Sequence, residues 1–267
     1  MELLCPICGD ALEKTDGAMK CARRHSFDIA RQGYVNLLPV QQKHSLNPGD
    51  TKQQVQSRRS FLDGGFYLPI AQALCDLAQA RGCTGPILDV GCGEGYYSTR
   101  LAEALGAELT GLDISKEAVR CAAGRYKNAL WLCGSASRLP VKDGSVGLIT
   151  SLFALTMPEE FRRALRPDGA FIQVLAAEDH LLGLKSIIYP TLTHKTKALQ
   201  PEVPGFALAE SVPVRFTFTV EGQQVQNLLS MTPHVYRIGQ EGAERLRQTE
   251  VLTDTASCII NLYHPVD

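Results

Sequence analysis

The sequence predicts an α/β protein in which a mostly parallel sheet follows a small metal-binding module. Three observations carry this. Short apolar runs alternate with helix-forming stretches between Ile87 and Leu175, the first of those runs opens into a glycine-rich loop, and four metal-type ligands fall between Cys5 and His25. The remaining composition is that of an ordinary globular chain. Of 267 residues, 45% are hydrophobic and 21% charged, with 27 Lys and Arg against 28 Asp and Glu, which excludes disordered, collagen-like and coiled-coil classes. No apolar run approaches the ~20 residues of a membrane span, and Met1-Glu2-Leu3-Leu4-Cys5 lacks the basic start of a signal peptide. A cytoplasmic chain without a membrane partner is expected.

In chain order, the first element is the module at residues 1–38. Cys5-Pro6-Ile7-Cys8 and Cys21-Ala22-Arg23-Arg24-His25 place two short chelating pairs at either end of a hairpin-length loop. Cys5, Cys8, Cys21 and His25 together make a closed tetrahedral set for a structural zinc ion, with no position left over for a catalytic water. So short a module cannot build a stable core unaided, so the metal is expected to supply most of its folding free energy.

Residues 39–60 read as a basic loop or linker, because the polar stretch Gln41 to Gln56, with Asn47-Pro48-Gly49-Asp50, has turn chemistry and little to bury. From Lys20 to Arg59 there are eight basic residues (Lys20, Arg23, Arg24, Arg31, Lys43, Lys52, Arg58, Arg59) against Asp28 and Asp50. Such local asymmetry inside a chain of net charge −1 can meet phosphates.

The main domain is expected over 61–267. Apolar residues at helical spacing from Tyr67 to Ala80 begin it. Ile87-Leu88-Asp89-Val90 then reads as a strand, Gly91-Cys92-Gly93-Glu94-Gly95 as a ligand-binding loop, and Tyr96 to Leu105 as a helix. The spacing is Gly-x-Gly-x-Gly, and Tyr96 stands where a dinucleotide fold would place its third glycine. Asp89 ahead of the loop would repel a pyrophosphate but suits a cationic amino-acid ammonium group. The next strand ends at Asp113, 22 residues beyond Gly91, where a carboxylate can take both ribose hydroxyls. After a helix from Lys116 to Tyr126, a third strand ends in Ser135-Ala136-Ser137, suited to an adenine edge. Val146 to Phe153 is a fourth strand, Glu159 to Leu165 a helix, Pro167-Asp168-Gly169 a turn and Ala170 to Leu175 a fifth strand. In the tail, alternation at Val214, Phe216, Phe218 and Val220, a helix near Gln223 to Leu229 and a last strand from Ala256 to Tyr263 complete the sheet with an antiparallel edge. Cys75, Cys83, Cys121, Cys133 and Cys258 read as core or near-core residues.

Through Asp89-x-Gly91-x-Gly93-x-Gly95, Asp113 and Arg163-x-Leu165-x-Pro167-x-Gly169, the chain resembles the class I S-adenosylmethionine-dependent methyltransferases. That resemblance implies a Rossmann-like fold with a mostly parallel seven-stranded sheet, and S-adenosylmethionine held by Asp89, Gly91, Cys92, Gly93, Glu94, Gly95, Tyr97, Asp113, Ile114, Ser135, Ala136 and Ser137. A closer likeness runs through Cys5-Pro6-x-Cys8, Cys21-x3-His25-x-Phe27-Asp28, Gly33 to Pro39, Pro48-Gly49-Asp50, Arg58-Arg59-x-Phe61-Leu62-Asp63-x-Gly65 and Asp89 to Tyr97, thinning beyond Asp113 and returning at His180-Leu181, Leu184-Lys185 and Met231-Thr232-Pro233. These stretches resemble the RlmA-type 23S rRNA (guanine-N1)-methyltransferases, which implies a zinc-bearing N-terminal domain, a homodimer and an rRNA hairpin as substrate.

Methylating guanine N1 requires a base splayed from its helix and held on an aromatic face, and N1 must lose its proton. Phe153, at the exit of the fourth strand, is a candidate platform; Asp179 and His180, after the fifth, are candidate proton acceptors. Two departures from better-known relatives touch the acceptor side: Ala154-Leu155 in place of Ala-Pro, and Ala176-Ala177-Glu178-Asp179 in place of a Pro- and Gly-rich stretch. They leave open a methyltransferase for another RNA or a small molecule, or a non-catalytic RNA-binding relative.

Overall fold

The computed structural model describes residues 1–39, 48–192 and 198–266; the expected basic residue Lys43 lies outside them. The N-terminal module folds as an antiparallel three-stranded sheet, β1 (Leu12–Thr15), β2 (Ala18–Cys21) and β3 (Ser26–Asp28) in that order. A fourth short strand, β4 (Tyr34–Asn36), leaves the module and pairs parallel with β7 (Leu130–Cys133) of the main sheet.

The main sheet is wound from β5 (Ile87–Val90), α3 (Tyr96–Leu105), β6 (Leu109–Asp113), α4 (Lys116–Arg125), β7, β8 (Val146–Leu152), α5 (Pro158–Ala164) and β9 (Leu165–Ala176), preceded by α1 (Lys52–Asp63) and α2 (Leu68–Ala80). After α6 (Leu182–Ile188), the long strands β10 (Phe206–Glu221) and β11 (Val251–Pro265) form the antiparallel edge, and between them lie α7 (Gln223–Ser230) and α8 (Gln240–Arg247). The strand order is β10-β11-β9-β8-β5-β6-β7-β4. Every residue of β5 and β8 is buried, as expected for parallel strands covered by helices on both faces. Because the chain winds outward from β5 through β6 and β7 and then returns to β8 on the other side, the topological switch point lies between β5 and β8. Ligands of open α/β sheets bind at the carboxyl ends of strands at that point.

The mostly parallel sheet expected from the sequence is present, and β4 adds one short strand to it beyond β7. Two sequence expectations are corrected. Residues 52–60, expected within the linker, are helical: Thr51 caps α1, its hydroxyl accepting from Gln54 N–H (3.3 Å) while Gln54 Oε1 accepts from Thr51 N–H (2.9 Å). This capping box was present in Thr51-Lys52-Gln53-Gln54, and the helix it starts buries Val55, Phe61 and Leu62. Finally, Pro167-Asp168-Gly169 is not a turn ahead of a strand. It lies inside β9, where the register with β8 jumps from Val146↔Leu165 to Leu148↔Ala170.

Two apolar layers cover the sheet. One holds α1 to α4 with α6 and α7; in the other, Leu3, Leu12, Met19 and Val35 of the N-terminal region pack with Leu88, Leu112, Ile149 and Phe171. Leu4 N–H donates to Pro140 O (2.9 Å) and Leu3 bridges to Val141. The module is therefore docked on the sheet by apolar burial as well as tied to it through β4.

Candidate active site

In the module, Cys5 and Cys21 Sγ lie 3.5 and 3.4 Å from His25 Nδ1, and Cys8 Sγ lies 3.6 Å from Cys21 Sγ. All four ligand atoms fall within 4.8 Å of one another. A tetrahedron with Zn–S of about 2.3 Å and Zn–N of about 2.0 Å has edges of about 3.5–3.8 Å, so these separations are those of ligands around one zinc ion. Three thiols and one imidazole form a closed structural set. The turn that brings His25 round is tight, with Arg24 at φ 67° and its N–H donating to Cys21 O (2.9 Å).

At the switch point, the loop after β5 is shaped by glycines. Gly91, Gly93 and Gly95 have φ of 81°, 57° and 86°. A Cβ at Gly91 would stand 2.5 Å from Ala154 Cβ, and one at Gly95 would stand 2.5 Å from the Trp131 ring, so neither position admits a side chain. Gly91 and Cys92 donate to Leu112 O (2.8 and 3.1 Å). Asp113, at the end of β6, accepts from Gly93 N–H and from Ser115 N–H, each at 2.8 Å. It joins the glycine loop to the start of α4, and burial raises its carboxyl above the usual range.

Asp89 lies at the carboxyl end of β5, where its carboxylate is also tied to the protein. Its carboxylate accepts from the hydroxyls of Ser98 on α3 and Thr150 on β8, the latter at 2.7 Å. It braces three elements, and burial pushes its pKa up to about 6. A carboxyl raised in the folded state favours stability below its ordinary pKa and loses that contribution as pH rises through about 6. Asp89→Asn is therefore expected to raise the melting temperature relative to the parent at pH 8, with the gain shrinking as pH falls below about 6. Paired thermal melts across that range check this.

A cavity of about 740 Å³ opens at the glycine loop and runs past Phe153 to α6 and to the segment after α7. Asp89, Gly91, Cys92, Gly93, Glu94 and Tyr97 line it. Ile114 and Ser115 line a second, smaller cavity of about 390 Å³ with Asp50 and Glu117. Ser135, Ala136 and Ser137 line neither, although Gly134 N–H beside them donates to Asp113 O (3.0 Å).

On the acceptor side, Phe153 has φ 54° and is 41% exposed, with its N–H donating to Val174 O (2.9 Å). A bulky residue in left-handed backbone is a strained feature that the surrounding structure must enforce. Its ring stacks beside His180, centroids 6.1 Å apart and planes at 28°. His180 Nδ1 accepts from Ser257 N–H (3.1 Å) and its Nε2 lies 3.3 Å from the Tyr67 hydroxyl. With Nδ1 accepting, a neutral imidazole carries its proton on Nε2 and donates to Tyr67. This geometry ties both ring nitrogens of His180 to protein groups while its face lies beside Phe153. Burial raises the Tyr67 pKa well above the usual tyrosine range, so its hydroxyl stays protonated.

Asp179 does not join them. It pairs with Arg215 (2.9 Å), and the Ser257 hydroxyl and Arg215 hold its carboxyl below the usual range. Leu155 is 76% exposed and contributes nothing to the cavity wall, whereas Ala176, Ala177 and Glu178 line it. Sequence reasoning missed Arg58, Tyr67, Lys185, Arg237 and the Tyr189–His234 pair, whose Oη and Nδ1 are 2.9 Å apart. They come from segments distant along the chain; position 58 carried a signal as one cation of the basic segment, and Lys185 as part of the Leu184-Lys185 stretch of the family likeness. That segment is not one uniform patch. Arg23 pairs with Asp10 (3.2 Å), Arg58 with Asp50 (2.6 Å) and Arg59 with Asp63 (3.5 Å), while Lys20, Arg24, Arg31 and Lys52 are exposed.

Two family descriptions match the chain: "RlmA, N-terminal", a zinc ribbon, over residues 3–46, and "Methyltransferase domain" over residues 87–169. The 23S rRNA (guanine(748)-N(1))-methyltransferase of Streptomyces fradiae is 34% identical over 239 residues, covering 86% of this chain and 84% of that protein. The chain belongs to the RlmA-type 23S rRNA (guanine-N1)-methyltransferase family. A Bacillus subtilis protein provisionally named for the same activity is 30% identical over 91% of this chain and 90% of its own length, and one from Micromonospora griseorubida is 36% identical over 68% of each. The fold is that of a class I methyltransferase carrying an N-terminal zinc ribbon, and the cofactors are S-adenosylmethionine and a structural zinc ion. Among the described residues no helix is long and apolar enough to cross a membrane.

Proposed function

We propose that this protein methylates N1 of a guanine in a hairpin of 23S rRNA in the cytoplasm, with S-adenosylmethionine as methyl donor. The observation that carries the reading is the exposed, strained Phe153 at the middle of a cavity that begins at the glycine loop. When bound, the cofactor supplies an electrophilic methyl group on a sulfonium. The protein's task is then to hold a nucleophile in line with that group, and positioning of this kind can supply most of the acceleration. Phe153 offers a face for an extruded purine, and His180, fixed by Ser257 and Tyr67, keeps that face from turning away. Lys185 and Arg237 on the cavity wall, with the exposed cations of the N-terminal region, supply charge for the phosphates around the target. The family resemblance also implies a homodimer, which sedimentation would register as twice 29.1 kDa.

The test is to incubate the zinc-loaded protein with labelled S-adenosylmethionine and large-subunit rRNA lacking its own methylation, then digest the RNA to nucleosides. The expected product is 1-methylguanosine; a labelled small molecule with unlabelled rRNA would overturn the substrate. Phe153→Ala is expected to lower kcat/KM about 10- to 100-fold, the effect of losing one base-stacking ring. Unchanged cofactor affinity in that variant would place the loss on the acceptor side.

A further inference from the structure

We propose that Tyr189 and His234 form a relay that removes the proton from N1 of the target guanine, the Tyr189 hydroxyl receiving it and His234 taking up the charge. The inference rests on guanine N1 being the methyl acceptor, and it names the side chains that free that nitrogen for attack.

The two residues are 45 positions apart and meet on the wall of the cavity that also holds Phe153. Tyr189 Oη and His234 Nδ1 are 2.9 Å apart, with the rings edge to face, centroids 5.5 Å apart and planes at 75°. Each side chain is half-buried, so the pair is anchored in the protein while it borders the cavity. The backbone on both sides is fixed. Tyr189 ends α6, its N–H donating to Lys185 O (3.0 Å). His234 sits in the single helical turn Pro233–Tyr236, where its carbonyl accepts from Arg237 N–H (2.9 Å) and Ile238 N–H (3.0 Å). That turn is fastened to α1 through the Tyr236 hydroxyl, which lies 2.7 Å from Gln54 Nε2 and 3.0 Å from Gln54 Oε1.

Other groups that could accept a proton have protein partners. Asp179 pairs with Arg215, the Asp89 oxygens accept from Ser98 and Thr150, and the ring nitrogens of His180 meet Ser257 N–H and the Tyr67 hydroxyl. Glu178, exposed where it lines the cavity, is the competing acceptor. The relay uses the neutral imidazole whose Nδ1 accepts from the Tyr189 hydroxyl. As N1 attacks the methyl carbon, the N1–H bond breaks and its proton passes to Tyr189 Oη, while the Tyr189 proton passes to Nδ1 and leaves an imidazolium. The bond from that carbon to sulfur breaks with its electron pair going to sulfur. One positive charge thus disappears from sulfur as one appears on His234, and the site gains no net charge that a half-buried cavity would have to solvate. Around His234, α1 contributes Arg58, α6 Lys185 and its own segment Arg237 to the same wall, while α7 carries no ionisable side chain.

The test is single-turnover methylation of large-subunit rRNA by the full-length, zinc-loaded protein as a function of pH, with RNA affinity measured alongside. The parent rate should fall on acidification between about pH 8 and pH 5, where an imidazole becomes charged and no longer accepts. Tyr189→Phe, which keeps the ring and removes only the hydroxyl, and His234→Gln should each slow methylation about 100-fold or more near pH 7 and leave RNA affinity within about threefold. Their deficit should shrink about tenfold per pH unit on the alkaline side, because guanine N1 then loses its proton to solvent unaided. The double variant should be no slower than the slower single one, since the relay fails as a unit. A deficit of one size at every pH would assign the pair a merely structural role and overturn the relay, as would the same pH-dependent loss in Glu178→Gln with both relay variants active. A parent that leaves guanine unmethylated overturns the underlying reading, a result distinct from failure of the relay alone.

Discussion

Stripping zinc from the protein is expected to unfold β1 to β3 while β5 to β9 stay folded. The apparent free energy of zinc binding in structural sites of this donor type is about 10–16 kcal/mol, far more than so short a segment can obtain from its own small core. What the module buries among its own residues is slight, since β1 and β3 are largely exposed along their length. Its apolar contacts run instead to the main sheet, through Leu3 and Leu12 against the layer that holds Val141 and Ile149. Those contacts need the ribbon to be folded first, and the four ligands converge only around the metal. Hydrogen exchange after treatment with a strong chelator should show loss of protection at Leu12, Cys21 and Ile29, whose N–H groups are paired in the folded module, with protection retained at Gly91 and Leu148. Cys21→Ser should give the same pattern without chelator and a metal content near zero. Retained protection in the ribbon of the metal-free protein would show that docking alone suffices.

The second large effect is expected from Gly91→Ala. At φ 81°, any side chain is strained by roughly 1 kcal/mol or more, and here the added methyl would also stand 2.5 Å from Ala154 Cβ. Neither neighbour can yield cheaply. Gly91 N–H is tied to Leu112 O (2.8 Å), and Ala154 follows Phe153, itself pinned to Val174 O (2.9 Å) in left-handed backbone. Relief therefore requires the glycine loop or the Phe153 turn to shift, and both face the main cavity. Cofactor affinity should fall at least about tenfold, and rRNA methylation by more, since displacement of Phe153 is added to weaker binding. Titration with S-adenosylhomocysteine and single-turnover methylation separate the two losses. An affinity within about twofold of the parent would mean that the loop absorbs the methyl without moving.

The reach of the sequence was set by the range of the interactions involved. Cys5, Cys8, Cys21 and His25 declare themselves because chelation by two short pairs is written in spacing, and all four meet in space. The path from Ile87 to Asp113 is equally legible: a buried strand must be apolar, the loop after it must turn where a Cβ would collide with Ala154 or Trp131, and the next strand must end in an acceptor for Gly93 N–H. The capping box of α1 was also local, and the polar composition around it obscured it.

The partners of these local features were settled by folding alone. How the Asp89 carboxylate is held depended on Ser98 and on Thr150, 61 residues away. That His180 carries its proton toward Tyr67 depended on a contact across 113 residues and on a backbone N–H from β11. Arg58 looked like one more solvated cation until α1 packed on α7, with Asn227 Nδ2 donating to Ser60 Oγ (3.3 Å), and turned the guanidinium over the glycine loop. The sequence by itself determined the zinc ligand set, the order of strands and helices and the glycine loop, because each depends on spacing between near neighbours. Only the tertiary structure decided which carboxylate is braced by hydroxyls, which histidine is committed and which cation turns inward, because burial and hydrogen-bond pairing between distant segments have no periodicity along the chain.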